Sequence, residues 1–153
     1  MGEAAREAVV ETVAVRSQRF GNYDVPAHRI LRFPEGLVGF PEARHFVLLD
    51  SAHAGSPFRY LLCLDLPELG FVVCDATEIC PGYGADLPRP PDVKPGDLAV
   101  MALVTVPADP LQMTANLMAP LLIDCRSGSG RQLVLDTGRY PIRFALLSSR
   151  TPA

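Results

Sequence analysis

Hydrophobic and β-branched residues occur along this chain in short runs, which turn residues interrupt at intervals of roughly 8 to 12 positions. The pattern shows no sustained helical period and no internal repeat. It predicts an all-β domain over residues 11–149, a compact, partly open β-barrel or a β-sandwich of about ten short strands. Residues 1–10, rich in Ala and Glu, predict a flexible leader. The main predicted strands are Thr12–Arg16, Ile30–Phe33, Phe46–Leu49, Tyr60–Leu64, Leu69–Cys74, Leu98–Val106, Ala115–Ile123, Gln132–Leu135 and Tyr140–Leu147.

Two further segments are predicted from their turn residues. Phe20–Val25 follows the first strand, and its Gly21-Asn22 pair predicts the turn of a β-hairpin. The segment Cys80–Gly96 contains five prolines, which exclude a central strand or a long helix and predict a surface excursion.

The segment Met113–Asp124 predicts a strand with one interruption. Pro120 cannot donate a hydrogen bond to a neighbouring strand, so it predicts a bulge, an edge or a bend. Asn116 is a polar amide in an otherwise apolar run, and such a side chain commonly satisfies backbone groups where a strand is irregular. The run Leu98–Val106 is expected to lie beside this strand.

A second irregular segment, Phe33–Phe40, contains two glycines three residues apart. Gly36 and Gly39 predict a tight loop with positive φ angles. The segment lacks the Lys-Ser/Thr pair of a phosphate-binding loop. Phe33, Leu37 and Phe40 are therefore expected to fill the core around the loop.

The charge of the chain argues against a nucleic-acid ligand. The net charge is −3, and Lys and Arg form no block, whereas nucleic-acid binding draws much of its affinity from clustered cations. A basic protein partner is electrostatically favoured. No apolar run is long enough to span a membrane, and the first residues do not resemble a signal peptide, so a cytoplasmic location is expected.

No set of residues predicts an enzyme or a cofactor site. The three histidines form no catalytic or zinc-binding motif with one another. The four cysteines lack C-x-x-C spacing and have apolar neighbours, which favours small buried hydrophobic residues. A metal site at Cys74 and Cys80, or a small ligand in the mouth of a barrel, remains the alternative function.

Four acidic residues surround one predicted hairpin. Two interpretations stay open: solvated turn residues, or an acidic rim that steers a basic partner. The four are Asp65, Glu68, Asp75 and Glu78.

The chain resembles the flagellar assembly factor FliW family over about residues 12–147. Two motifs carry most of the resemblance, T-x-N-L-x-A-P followed by hydrophobic residues and F-x-x-G-L-x-G-F, and Tyr83 falls where the family has a tyrosine. Leu61-Leu62-Cys63 and Ala76 depart from the family pattern. The matching motif residues, expected to be structural, are Phe33, Gly36, Leu37, Gly39, Phe40, Thr114, Asn116, Leu117, Ala119 and Pro120.

The resemblance implies a cytoplasmic, monomeric binding protein rather than an enzyme. FliW proteins bind flagellin and alternatively the translational repressor CsrA, which relieves repression of flagellin synthesis by partner switching. The implied contact with flagellin involves its terminal helices and apolar groups on the barrel surface. The four acidic residues and Tyr83 are the candidate partner contacts, and no cofactor or metal is implied.

Overall fold

The computed structural model describes residues 11–51, 55–83, 87–88, 92–135 and 138–147. The predicted leader and residues 148–149 of the predicted domain lie outside these ranges. Within them the chain forms ten strands and one short α-helix, α1 (Ala76–Ile79). The strands are β1 (Thr12–Ser17), β2 (Gly21–Pro26), β3 (Leu31–Arg32), β4 (His45–Asp50), β5 (Phe58–Cys63), β6 (Gly70–Asp75), β7 (Leu98–Thr105), β8 (Thr114–Asp124), β9 (Ser129–Gln132) and β10 (Phe144–Ala145).

Seven strands close into a barrel. The sheet order is β10-β8-β7-β6-β5-β4-β3-β9, and β9 pairs with β8 as well as with β3, so β3 to β9 form a closed ring. The β3–β9 contact is the parallel pairing Arg32↔Ser129, and the other pairings are antiparallel. β10 lies outside the ring on the first residues of β8. Of the two predicted architectures, the barrel is therefore confirmed.

Alternate residues of each strand fill the barrel. The interior cluster includes Phe46, Leu61, Val73 and Met101, which lie on four successive strands. Because strand side chains alternate between faces, their neighbours in sequence point outward and form two further apolar layers. The β1–β2 hairpin covers β4 and β5 through Val15, and α1 with the chain's last described segment covers β7 and β8.

The structure corrects several predictions of elements. The turn of the first hairpin is Gln18–Phe20, because Gly21 already pairs with Ser17. The strand predicted at Gln132–Leu135 is instead β9, which ends at Gln132, and only Phe144–Ala145 of the strand predicted at Tyr140–Leu147 pairs, as β10. The proline-rich segment is not purely a surface excursion, since Tyr83 and Val93 in it are buried.

The loop between β3 and β4 has the predicted glycine geometry. Gly36 and Gly39 have φ angles of 69° and 85°, and the amides of Leu37 and Phe40 each donate to the other's carbonyl at 3.0 and 2.8 Å. Phe33 and Leu37 are buried as expected. The prediction is wrong for Phe40, whose side chain is 39% exposed, because the tight turn directs it along the outside of the loop.

The predicted interruption of β8 is a bulge. Four residues, Leu117 to Pro120, lie opposite the single residue Ala102 of β7. Such an insertion removes regular ladder partners, so its amides and carbonyls need others. The Asn116 side chain is the acceptor for two of these amides. Its Oδ1 atom accepts hydrogen bonds from Met118 N and Ala119 N at 3.0 and 3.1 Å.

The other backbone groups of the bulge are satisfied by three separate segments. The Leu117 amide donates to the Pro141 carbonyl at 3.0 Å. All four carbonyls of the bulge accept a hydrogen bond. Their donors, in order from Leu117 to Pro120, are Tyr83 Oη, Leu135 N, Gln132 Nε2 and Leu133 N. The bulge therefore connects residues 133–135 and 141 and the segment after α1 to the barrel through hydrogen bonds.

Replacing the two loop glycines should have unequal effects on stability. Gly36→Ala should cost more than Gly39→Ala, because a Cβ at Gly36 would lie 2.5 Å from the Phe40 carbonyl oxygen, whereas one at Gly39 meets nothing within 4 Å. Strain from positive φ alone costs roughly 1 kcal/mol, and the collision adds to it. Urea unfolding of both variants measures the difference; equal losses would contradict the close packing at Gly36.

Replacing Asn116 should destabilise the fold through the bulge amides. Asn116→Leu leaves two amides without their acceptor and should lower the free energy of unfolding by roughly 1–3 kcal/mol. Asn116→Asp is the matched control, because its carboxylate can still accept both hydrogen bonds. If the Leu variant is as stable as the parent but loses a binding partner, Asn116 is a contact residue and its structural role is refuted.

Candidate functional site

The two mouths of the barrel differ in sequence and in chemistry. We call the end where β3, β5, β7 and β9 finish the motif mouth, because the loop Phe33–Phe40 and the β8 bulge both lie there. We call the opposite end, where these strands begin, the far mouth. The two ends are separated by about 17 Å along β6, from the strand rise of about 3.3 Å per residue.

A shallow groove of about 210 Å³ opens at the motif mouth. Its walls come from both family-like motifs, although these are nearly 80 positions apart in the chain. Phe40 and Phe71 meet edge to face across it, with ring centroids 6.5 Å apart. We call it the motif groove; its lining residues are Leu37, Val38, Phe40, Phe71, Leu103, Asn116, Ala119 and Gln132.

One side chain links the two motifs across the motif groove. The Gln132 Oε1 atom accepts a hydrogen bond from the Val38 amide at 2.8 Å, and its Nε2 atom donates to the Ala119 carbonyl at 3.1 Å. A bridging amide of this kind fixes the loop relative to the bulge. The sequence predicted Gln132 only as part of a strand. Its polar side chain at the end of that strand is the feature from which a bridging role could have been predicted.

The motif groove presents apolar side chains to solvent. Val38 is 62% exposed and Phe40 is 39% exposed. A single apolar residue on a protein surface needs no special explanation. Here the two lie beside Phe71 and Leu103 around one concavity. Grouped exposed apolar residues in a concave surface are typical of a protein-binding site. Val38, Phe71 and Leu103 were not predicted as site residues.

Most other motif residues lie inside the fold. Gly36 is enclosed by backbone atoms, and five further motif side chains lie inside the protein. Thr114 is half-buried and pairs with Ala145 of β10. The five buried motif residues are Phe33, Leu37, Leu117, Ala119 and Pro120.

Asp65 lies at the motif mouth and is held by backbone amides. Its Oδ2 atom accepts hydrogen bonds from the amides of Arg44 and His45, both at 2.8 Å, and His45 Nδ1 lies 3.2 Å from its Oδ1. Partial burial raises the pKa of the Asp65 carboxyl, but these hydrogen bonds outweigh it and hold the pKa below its ordinary value. Asp65 therefore fixes the start of β4, whereas Glu68, the other candidate acid at this mouth, is exposed.

Asp75 and Glu78 lie at the far mouth, so the four acids do not form one rim. Asp75 is the N-cap of α1, since its Oδ1 accepts from the Thr77 amide at 2.8 Å. Both residues line a cleft of about 490 Å³. The predicted acidic series is therefore two separate pairs, because the β5–β6 hairpin places its turn and its open end at opposite mouths.

Tyr83 is a core residue, so its prediction as a surface contact is wrong. The ring is 4% exposed and packs edge to face on Tyr140, with centroids 4.6 Å apart. The hydroxyl donates to the Leu117 carbonyl at 2.6 Å. A tyrosine at this position is explained by the β8 bulge, whose carbonyl needs a donor from inside the protein.

The cysteines divide by burial. Burial raises the pKa of the Cys63 thiol and raises that of Cys74 to about 12, so both remain neutral thiols in the core. Cys80 is half-buried, and Cys125 is exposed, which corrects the prediction of four buried residues. In the described part of the chain, no three His, Cys, Asp or Glu residues are grouped as metal ligands. The helices of the same residues include none long and apolar enough to cross a membrane.

Comparison with known proteins finds one family. The family model described as FliW protein matches residues 14–146. A flagellar assembly factor FliW from Caldicellulosiruptor saccharolyticus is 34% identical over 146 residues, covering 92% of this chain and 95% of that protein. The corresponding protein from Geobacter sulfurreducens is 35% identical over 131 residues, covering 82% of this chain and 81% of its own.

A solved structure shares the fold. The crystal structure of a flagellar assembly factor FliW superimposes with a TM-score of 0.79 and 28% sequence identity, covering 91% of this chain and all of that one. The family model spans nearly all of the described barrel, and both motifs lie inside its match. This chain therefore belongs to the FliW family of flagellar assembly factors.

Proposed function

We propose that this protein binds flagellin in the cytoplasm and alternatively binds the translational repressor CsrA, so that flagellin export frees it to relieve repression. The observation that carries the proposal is the motif groove. It places the exposed apolar side chains of the loop Phe33–Phe40 beside residues of the second motif around one concavity, on a chain that belongs to a family of flagellar assembly factors. The proposed role is that of a binding protein rather than an enzyme.

The motif groove suits the apolar stripe of an amphipathic helix. Helix recognition of this kind uses apolar anchors spaced at i, i+3, i+4 and i+7, which enter a hydrophobic groove. Val38 and Phe40 form one wall and Phe71 lies opposite. Because Gln132 holds the loop to the β8 bulge, the groove is formed before binding and little ordering entropy is lost. We assign flagellin, through its terminal helices, to this surface.

CsrA is assigned to the acidic side of the motif mouth. Glu68 precedes Phe71 by three residues and lies in the turn that opens onto the same mouth. An exposed acid beside an apolar groove attracts a basic partner at long range while contributing little to the final contact energy. If the two partners share this mouth, each excludes the other, which is the physical requirement for partner switching.

Truncating an exposed wall of the motif groove should weaken flagellin binding without unfolding the barrel. Val38→Ser should raise the Kd by roughly 5- to 30-fold, corresponding to about 1–2 kcal/mol, with a change in unfolding free energy of at most about 0.5 kcal/mol. Calorimetric titration with flagellin measures the Kd. Leu111→Ser is the matched control, since Leu111 is 61% exposed but lies outside the groove.

An unchanged Kd for Val38→Ser, or an equal loss for Leu111→Ser, would place the flagellin contact elsewhere. Failure of the parent protein to bind either partner at micromolar concentration would refute the proposed function altogether.

Reversing the charge of one free acid should slow CsrA association. We expect Glu68→Lys to reduce the association rate several-fold, with a small change in dissociation, and the reduction should shrink as salt rises because rim charges are screened. Glu78→Lys is the matched reversal at the far mouth and should have a smaller effect. Stopped-flow or surface-based kinetics at several salt concentrations measures both variants.

An equal or larger effect of Glu78→Lys would move the CsrA surface to the far mouth. Flagellin and CsrA would then not exclude each other sterically, and simultaneous binding of both partners would be observed.

A further inference from the structure

The far mouth contains a basic cleft that the proposed partner surfaces do not use. It has a volume of about 360 Å³ and is lined by three arginines and one histidine from the turn before β3, from β5 and from the turn after β8. They are His28, Arg29, Arg59 and Arg126, and the residues that line the cleft include no Asp or Glu. Such a concentration of positive charge is unexpected in a chain with a net charge of −3.

Two of the guanidinium groups form no ion pair within the described residues, although the charge of Arg126 attracts the nearby Asp124 carboxylate. Arg59 is paired with Asp50 at 2.8 Å, whereas neither Arg29 nor Arg126 forms an ion pair with a residue in the described part of the chain. Both are exposed at the rim of the cleft. Arginine binds carboxylate and phosphate oxyanions in a bidentate geometry, so two unpaired guanidinium groups around one cleft favour an anionic ligand.

The floor of the basic cleft is apolar because it is the end of the barrel interior. Ala99 and Ile123 are paired across β7 and β8, and both point inward with Met101 and Leu121. Leu48 completes the floor from β4. A ligand seated here would place its charged group on the arginines and an apolar body against these side chains. The volume of the cleft falls in the range of about 300–1,000 Å³ that small-ligand sites occupy.

We propose that the far mouth binds a small organic oxyanion, a phosphate or carboxylate carried on a compact apolar group. The site is independent of the motif groove, since it lies at the other end of the barrel. Bound there, the ligand would contact β5, β7 and β8, which all run to the motif mouth.

The test uses phenyl phosphate, benzoate and inorganic phosphate as probes, titrated into the full chain by calorimetry. Phenyl phosphate or benzoate should bind saturably, and the tighter of the two identifies which oxyanion the cleft prefers. Because inorganic phosphate lacks an apolar body, it should bind at least about tenfold more weakly than phenyl phosphate if phosphate is preferred. If carboxylate is preferred, acetate replaces it as the reference and should be weaker than benzoate by the same margin.

Three variants locate the site. Arg29→Ala with Arg126→Ala should weaken the preferred aromatic probe by at least about tenfold, and Arg16→Ala, on the outer hairpin, should leave it unchanged. Ala99→Leu fills the floor and should weaken the aromatic probe while sparing the reference ion. The double arginine variant removes only exposed side chains, so we expect it to fold. It therefore still tests the site if Ala99→Leu does not fold.

Cys125 gives an independent readout, because it is exposed and lines the same cleft. Saturating aromatic probe should slow its alkylation by uncharged iodoacetamide, measured by mass spectrometry of the Cys125 peptide, with Cys80 as the internal reference. Saturable binding, loss in the double arginine variant and protection of Cys125 together support the site. Absence of saturable binding, equal affinity for the aromatic probe and its reference ion, or unchanged affinity in the double arginine variant would overturn it.

Discussion

The fold depends on how the β8 bulge satisfies its backbone. Four residues without regular ladder partners present three amides and four carbonyls, and an unpaired buried group costs roughly 1–3 kcal/mol. Asn116 accepts from two of the amides, and Tyr83 and Gln132 donate to two of the carbonyls. The remaining partners are backbone atoms near the chain's end. A barrel strand, the segment after α1 and the closing segments are thus held together by one irregularity.

The hydrogen bonds around the bulge also connect the two family motifs to each other. Gln132 donates to the bulge and accepts from the Val38 amide, so the loop Phe33–Phe40 takes its position from β8. The positive φ of Gly36 lets the loop turn close to its own backbone and return Phe40 to the groove wall. Most motif residues are buried, and the surface they build exposes Val38 and Phe40, which is the surface proposed for a partner.

Local sequence patterns predicted the features that have local causes. The strands, the bulge at Pro120, the role of Asn116 and the φ angles of the loop glycines follow from backbone chemistry within a few residues. Features that depend on the closed ring were not predicted. The exposure of Phe40, the burial of Tyr83 and the separation of Asp65 from Asp75 arise when distant segments meet, and one sequence does not specify which segments do so. β9 ends at Gln132 and not at Leu135, because the β8 residues that would continue its pairing beyond Leu121 form the bulge.

Barrel closure also gives the protein two chemically different ends. Interior-facing positions are apolar in the middle of each strand, and the same face continues outward to Phe71 at one mouth and to Arg59 and Asp75 at the other. An apolar mouth with a rigid loop suits a helix, whereas a charged mouth with an apolar floor suits a small ion. Both mouths are reached by β5, β6, β7 and β8, so an occupant of either end contacts the same strands. A ligand can link the two ends only if its affinity differs between two states of these strands, since equal affinity shifts no equilibrium. The tightly filled interior between the mouths limits such states to discrete repackings.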